Sequence, residues 1–191
     1  WRDAKAYYKA KFKEAGDIGT LVHEWADIYW KWPQSALQIL DCLCAYLIDN
    51  PDDLFDAWDN EQIHKITLPG WTIPTVINGI EALLHWVDQH HVVPLHSEHY
   101  IYDIDLWYCG ILDLLARVDG EITLVDLKTS GQLSVEMLFQ LGGYLRCAPV
   151  DVTRMGVLRL DKKTGLPGYT DCTALREQMV DGFEACHTIY R

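Results

Sequence analysis

The sequence predicts an α/β fold in which a mixed, mostly antiparallel sheet is flanked by helices and follows a helical first part. Apolar residues recur at helical spacing before residue 91. Two alternating apolar runs then flank Asp119-Gly120, a dipeptide suited to the positive φ angles of a two-residue hairpin turn. After the hairpin, apolar residues recur at helical spacing before and after one further apolar run, which is predicted to be a strand. The simplest organisation is a single domain over 1–191, with a mainly helical part at 1–91 and a sheet core at 92–191.

Several helices are predicted in the first part. Glycines at 16 and 19 indicate a break after the first helix, and Thr20 suits the N-cap of the second, which places His23 in its first turn. The predicted helices cover residues 1–15, 21–32, 35–48 and 74–90. A short helix is also predicted to start near Pro51-Asp52-Asp53, and a loop is predicted at 60–71.

After residue 91 the spacing of apolar residues changes from helical to the alternation typical of strands. Strands are predicted at 92–95 and 98–108 and in the hairpin that follows them, and this part of the chain is predicted to contain a three-strand meander. The remaining elements are a helix at 134–146, a strand at 152–160 and a closing helix at 173–190.

The register of the hairpin follows from counting outward from its turn. Val118 faces Glu121, so five pairs further along Asp113 faces Asp126. Lys128, two residues beyond Asp126, lies on the same face. Because the neighbouring residues are apolar on both faces, the strands read as covered on both sides, and two carboxylates there need a cation. Physical chemistry leaves two readings open, a site for a hard cation such as Mg²⁺ or Mn²⁺ and an ion-pair cluster on a solvated face.

Composition narrows the class of protein. Apolar residues make up 49% of the 191 residues, which indicates a compact globular protein, and the net charge of −12 argues against a generally basic, nucleic-acid-coated surface but not against a local basic groove. Without a membrane-spanning run or signal-peptide pattern, a soluble, intracellular (cytoplasmic) protein is expected. The six cysteines favour reduced, mostly buried thiols over a disulfide framework or an iron–sulfur cluster.

Four separated motifs together carry a resemblance. They are Gly19-Thr20-x-x-His23, Gly110-x-x-Asp113, Asp126-x-Lys128-Thr129-Ser130 and Gln140-x-x-x-Tyr144. In this order they resemble the PD-(D/E)XK nuclease superfamily, and within it the RecB-type exonuclease branch. The resemblance implies a restriction-endonuclease-like core.

The resemblance also implies roles for these residues. Asp113 and Asp126 bind one or two Mg²⁺ or Mn²⁺ ions, helped by His23 and the backbone carbonyl of Leu127, and Lys128 positions or polarises the attacking water. Gln140 and Tyr144 share one helix face and line the substrate groove with Thr129 and Ser130, beside Gly142-Gly143, which permits close approach of backbone or nucleic acid.

Some positions depart from the family pattern or remain open. Leu112 replaces the proline of the superfamily's name, and the spacing of Cys109, Cys147, Cys172 and Cys186 does not match the iron–sulfur cluster of some relatives, so none is predicted. Glu98 either corresponds to an acidic position of some relatives or is a surface glutamate. The run His96-Ser97-Glu98-His99, near His90 and His91, reads as a polar loop in preference to a zinc site.

The functional prediction is a metal-dependent DNA exonuclease acting in recombination or DNA end-processing, of phage or bacterial type, with a single-strand annealing protein as a possible partner. The alternatives are an endonuclease of the same fold, a catalytically silent nucleic-acid-binding module, and an unrelated metal-binding α/β enzyme acting on a small phosphorylated substrate. The residues do not determine the oligomeric state or the polarity of digestion.

Overall fold

A computed structural model of the protein describes residues 2–49, 54–56, 67–69 and 72–190. By its internal contacts the chain divides into two compact units. The helical unit comprises residues 1–83 and 162–166, and the sheet unit comprises residues 84–161 and 167–191.

The helical unit begins with one long helix, α1, over Arg2–Lys31. The predicted break at residues 16–19 is therefore wrong, and so is the N-cap role of Thr20, whose hydroxyl donates to the carbonyl of Gly16 inside the helix. A buried stripe explains the continuity, because it begins between the two glycines and continues past Gly19 at the spacing i, i+3, i+4, i+7, i+8. It consists of Ile18, Leu21, Val22, Trp25 and Ala26. Burial of this stripe outweighs the roughly 1 kcal/mol that a helical glycine costs.

The rest of the helical part follows the prediction closely where the structure describes it. Helix α2 covers Pro33–Asp49, and α3 covers Ile73–Gln89. Two short strands, β1 (Leu54–Asp56) and β2 (Thr67–Pro69), form an antiparallel pair that was not predicted. The short helix predicted near Pro51 and most of the predicted loop at 60–71 lie outside the described residues.

The sheet unit is built on five strands in the order β3-β4-β5-β6-β7. They cover Val92–Asp103, Tyr108–Val118, Glu121–Lys128, Arg154–Asp161 and Leu166–Asp171. Strands β3, β4 and β5 form the antiparallel meander, and β6 joins β5 in parallel. The mixed sheet with flanking helices confirms the predicted fold class.

Strand β3 is one strand where two were predicted, and its end is set by Asp103. The carboxylate of Asp103 accepts hydrogen bonds from the backbone N–H groups of Asp105 and Leu106, an arrangement that closes a turn. The predicted strand at 98–108 therefore runs through a turn. The His96–His99 run lies within β3 and is not a loop, with an irregularity in pairing between Pro94 and His96.

Strand β7 was missed because its sequence, Leu-Pro-Gly-Tyr-Thr-Asp, contains proline and glycine. Both are tolerated at the edge of a sheet, where β7 lies. The closing helix, α5, covers Arg176–Tyr190 and is preceded by a 3₁₀ turn at Thr173–Leu175.

Helices α4 (Val135–Arg146) and α5 pack closely in the sheet unit, and glycines permit this approach. A β-carbon added at Gly142 would clash with the carbonyl oxygen of Met179, and one at Gly143 would lie 2.7 Å from the ring of Phe183. The close approach predicted at these glycines is therefore to the backbone and ring of α5.

The Gly142→Ala substitution is expected to destabilise the protein by about 1–3 kcal/mol, because α5 must move to admit the methyl group. Gly131→Ala is a matched control, since nothing lies within 4 Å of a β-carbon added there. Urea denaturation measures both variants. Equal free energies of unfolding would show that the glycine is not required for the helix contact.

The structure bears on two predictions made from composition, one on the cysteines and one on membrane-spanning segments. The six cysteines are free, but the prediction that most are buried is wrong, because only Cys172 is buried while Cys42, Cys44 and Cys109 are exposed. Among the described helices, none combines the length and apolarity needed to cross a bilayer.

Candidate nuclease site

The hairpin between β4 and β5 has the predicted register. Asp119 and Gly120 adopt φ angles of 51° and 94°, and the recorded pairs run from Val118–Glu121 to Leu114–Val125. Asp113 and Asp126 occupy the next position, one step beyond the last recorded pair, so their direct opposition stays a prediction. At this point a carboxylate joins the two strands, because Oδ2 of Asp113 accepts a hydrogen bond of 2.6 Å from the backbone N–H of Leu127.

Asp126 and Lys128 form a charged pair at the end of β5. The Lys128 Nζ donates to Oδ1 of Asp126 over 2.8 Å, and the side chains are 19% and 0% exposed, respectively. The predicted proximity of this lysine to the aspartate is confirmed. A carboxylate buried to this degree is costly without a compensating cation, so Lys128 stabilises the folded position of Asp126.

A second carboxylate lies beside Asp113. One carboxylate oxygen of Glu98 lies within 4.8 Å of one of Asp113. Glu98 stands in β3 between the pairs Ser97–Leu114 and His99–Leu112, a position that faces Asp113 across the strands. The structure thus places the carboxylates of Glu98 and Asp113 close together, which the register of β4 and β5 alone did not predict.

The backbone of Glu98 has a φ angle of 45°, in the left-handed region that non-glycine residues seldom adopt. Such conformations are unfavourable, and outside turns they cluster at functional sites. Nothing in the sequence around Glu98 signals this conformation, and its acidity was the only indication that it could belong to a site.

Gln140 and Tyr144 meet on α4 as their spacing predicted. The Gln140 side-chain amide donates to the Tyr144 hydroxyl over 2.5 Å, and Tyr144 is buried. Burial raises the pKa of Tyr144 most, the charges of Asp113 and Asp126 raise it further, and the Gln140 hydrogen bond partly offsets the rise. Gly110 makes room for this ring, since a β-carbon there would lie 3.2 Å from Tyr144.

The raised pKa predicts how stability depends on alkaline pH. The folded-state pKa of Tyr144 lies above the ordinary tyrosine value of 10.0, so the stability that the neutral hydroxyl contributes is complete below about pH 10 and is lost as the pH rises towards the folded-state pKa. Tyr144→Phe should therefore lose stability less steeply above pH 10 than the wild-type protein in urea denaturation. Tyr100→Phe, at a side chain 75% exposed, is the control. Parallel pH profiles for Tyr144→Phe and the wild-type protein would contradict the prediction.

Three further predicted site residues are His23, Thr129 and Ser130. His23 lies within α1 of the helical unit, half-buried, rather than in the first turn of a helix. Thr129 is half-buried and Ser130 exposed directly after β5, where the Ser130 hydroxyl donates to the carbonyl of Gln132.

One comparison with known families decides the classification. The family model described as PD-(D/E)XK nuclease superfamily matches residues 3–180. The chain belongs to the PD-(D/E)XK nuclease superfamily. No curated protein matches the sequence.

Membership in the PD-(D/E)XK superfamily identifies the protein as a nuclease, a phosphodiester hydrolase of a family that uses divalent metal ions. The residues of the sheet unit fit such an ion, because Glu98 and Asp113 bring carboxylate oxygens close together beside Tyr144 and Asp126. Carboxylate oxygens are the donors that Mg²⁺ and Mn²⁺ prefer.

Proposed function

We propose that this PD-(D/E)XK protein is a metal-dependent DNA exonuclease of the RecB-type branch. The observation that carries the proposal is the pairing of buried Asp126 with Lys128, next to an Asp113 carboxylate that accepts from the Leu127 backbone. The G-T-x-x-H and Q-x-x-x-Y motifs support the RecB-type branch by resemblance.

Asp113 and Asp126 are the proposed ligands of one or two Mg²⁺ or Mn²⁺ ions, with the Leu127 carbonyl, and Glu98 joins them because of its place beside Asp113. His23 is proposed as a further ligand from the G-T-x-x-H motif alone. His23→Ala should lower the affinity for Mn²⁺ in calorimetry, and an unchanged affinity would remove His23 from the site. When bound, the metal neutralises the charge that develops on the phosphate.

The side chains of the site divide the remaining work. Lys128 is proposed to orient the attacking water, because its ammonium is a hydrogen-bond donor held in place by Asp126. Asp126 in turn fixes the position of that ammonium. Gln140 and Tyr144, with Thr129 and Ser130, are proposed to contact the substrate. Tyr144 does so as a neutral hydroxyl, since its pKa is raised.

Dependence on DNA ends is proposed because the matched branch consists mostly of exonucleases. A role in recombination or end-processing, beside a single-strand annealing protein, follows from the same resemblance. An end-independent endonuclease and a silent binding module would give different results in one assay.

The test is digestion of end-labelled linear DNA, single- and double-stranded, with Mg²⁺ or Mn²⁺, compared with a closed circular duplex. Release of nucleotides from the ends of linear DNA alone is expected. Equal digestion of the circle would indicate an endonuclease, and no digestion of any substrate would indicate a silent module. Comparison of 5′ and 3′ labels gives the polarity.

A further inference from the structure

A pocket of about 180 Å³ opens beside Lys128 in the sheet unit. It lies where β5 and β6, which run in parallel, both approach their carboxyl ends, the place where open α/β sheets bind ligands. Its lining includes Lys128, Leu133, Met137, Val157 and Arg159.

Arg159 provides a positive charge at this pocket. It pairs with Lys128 across the β5–β6 ladder, so two cations occupy neighbouring positions. Like charges in neighbouring strands are destabilising unless they are offset. Asp126 offsets Lys128, whereas no carboxylate among the described residues lies in salt-bridge distance of Arg159.

The contacts of the Arg159 guanidinium hold it at the pocket but use only some of its N–H donors. Its Nη1 donates to the carbonyl of Gly131 over 3.3 Å, and its Nη2 would lie 3.2 Å from a β-carbon added at Gly168. A guanidinium has five N–H donors in a planar fork, so donors remain for an anion. A phosphate is the anion that a nuclease substrate offers next to the site of cleavage.

The size and lining of the pocket indicate more than a phosphate. An apolar cavity of about 150 Å³ binds benzene, so a pocket of about 180 Å³ has room for one aromatic ring. Leu133, Met137 and Val157 supply apolar surface for such a ring, and Lys128 and Arg159 border it with charge. A nucleotide combines these features, with a flat base and a phosphate.

We propose that Arg159 and the pocket beside Lys128 bind the nucleotide next to the scissile phosphate, with its phosphate on the guanidinium and its base against Leu133, Met137 and Val157. This inference rests on the proposed nuclease function and specifies the substrate. A base inside the pocket cannot be paired, so the enzyme acts on a single strand or on an end that has opened.

Arg117 offers a matched control for Arg159. It is also an exposed arginine of the same sheet, and its guanidinium donates to a backbone carbonyl, that of Gly120 at the hairpin turn. Arg159→Gln and Arg117→Gln remove the same charge. Each is made with Asp126→Asn to prevent hydrolysis, and circular dichroism checks that both fold.

The measurement is fluorescence anisotropy of a labelled single-stranded oligothymidylate at several salt concentrations. Arg159→Gln should weaken binding about tenfold and reduce the slope of log K against log salt by about 0.7, the loss of one phosphate contact. Arg117→Gln should change neither. Equal behaviour of the two variants would overturn the role of Arg159.

The pocket is tested with oligonucleotides that carry one abasic residue near the cleaved end. In the protein that keeps Leu133, an abasic residue at one of the tested positions should weaken oligonucleotide binding about tenfold, as the loss of a bound base does. Leu133→Trp fills the pocket and should remove this difference. An abasic residue without effect at every position would overturn the assignment of the pocket to a base.

Failure of this inference is distinguishable from failure of the proposed function. A wild-type protein that digests DNA while Arg159→Gln behaves like Arg117→Gln refutes the inference alone. A wild-type protein that digests no nucleic acid with Mg²⁺ or Mn²⁺ refutes the proposed function.

Discussion

Replacement of Asp126 by Asn is expected to reduce DNA hydrolysis about a thousandfold, because the site loses a proposed metal ligand worth several kcal/mol of transition-state stabilisation. Asn has nearly the same shape and adds no charge to a buried position, so the fold is expected to persist. Single-turnover digestion of end-labelled DNA with Mg²⁺ gives the rate, and circular dichroism verifies the fold.

Asp181→Asn is the control for Asp126→Asn, since Asp181 is an exposed residue of α5. It removes one negative charge from the same unit and should leave the rate unchanged. Mn²⁺ should raise the melting temperature of the wild-type protein and of Asp181→Asn by binding the folded state, and should raise that of Asp126→Asn less. A wild-type rate in Asp126→Asn would refute the metal-ligand assignment.

Replacement of Lys128 by Met is expected to affect both stability and activity. The substitution leaves the fully buried Asp126 without its cation, which should cost about 3 kcal/mol, the lower end for a broken buried pair because Lys128 is partly exposed. The rate of DNA hydrolysis should fall about a hundredfold as the ammonium that orients water is lost. Urea denaturation and single-turnover digestion measure the two effects.

The double variant Asp126→Asn/Lys128→Met separates these two effects. It removes both charges, so most of the lost stability should return while activity stays low, and the cycle gives the coupling energy of the pair. Additive losses of stability would show that the two side chains do not depend on each other. A Lys128→Met protein with wild-type activity would remove the lysine from the proposed mechanism.

Local patterns were sufficient to predict the hairpin and the residues around it. Asp119-Gly120 fixed the turn, and the alternation of apolar residues fixed the register as far as the Leu114–Val125 pair. The proximity of Lys128 to Asp126 followed from the period of two in a strand. Likewise, i, i+4 spacing predicted that Gln140 and Tyr144 share a face, and they are hydrogen-bonded.

Other features depended on interactions between distant residues. The glycines at 16 and 19 look like a helix break, yet the buried stripe from Ile18 to Ala26 keeps α1 continuous. Strand β7 contains proline and glycine and forms because it lies at the sheet edge. In both cases the wrong or missing prediction came from local propensity, which packing and position in the sheet overrode.

The candidate site also combines features set by local sequence with features set by distant residues. By itself the sequence determined that Asp113, Asp126 and Lys128 belong to one hairpin, because strand period and turn type are local properties. Only the tertiary structure decided that Glu98 stands beside Asp113, that Tyr144 is buried close to both aspartates so that its pKa rises, and that Arg159 pairs with Lys128. These neighbours come from β3, α4 and β6, and long-range strand pairing and helix packing place them where no local sequence pattern could.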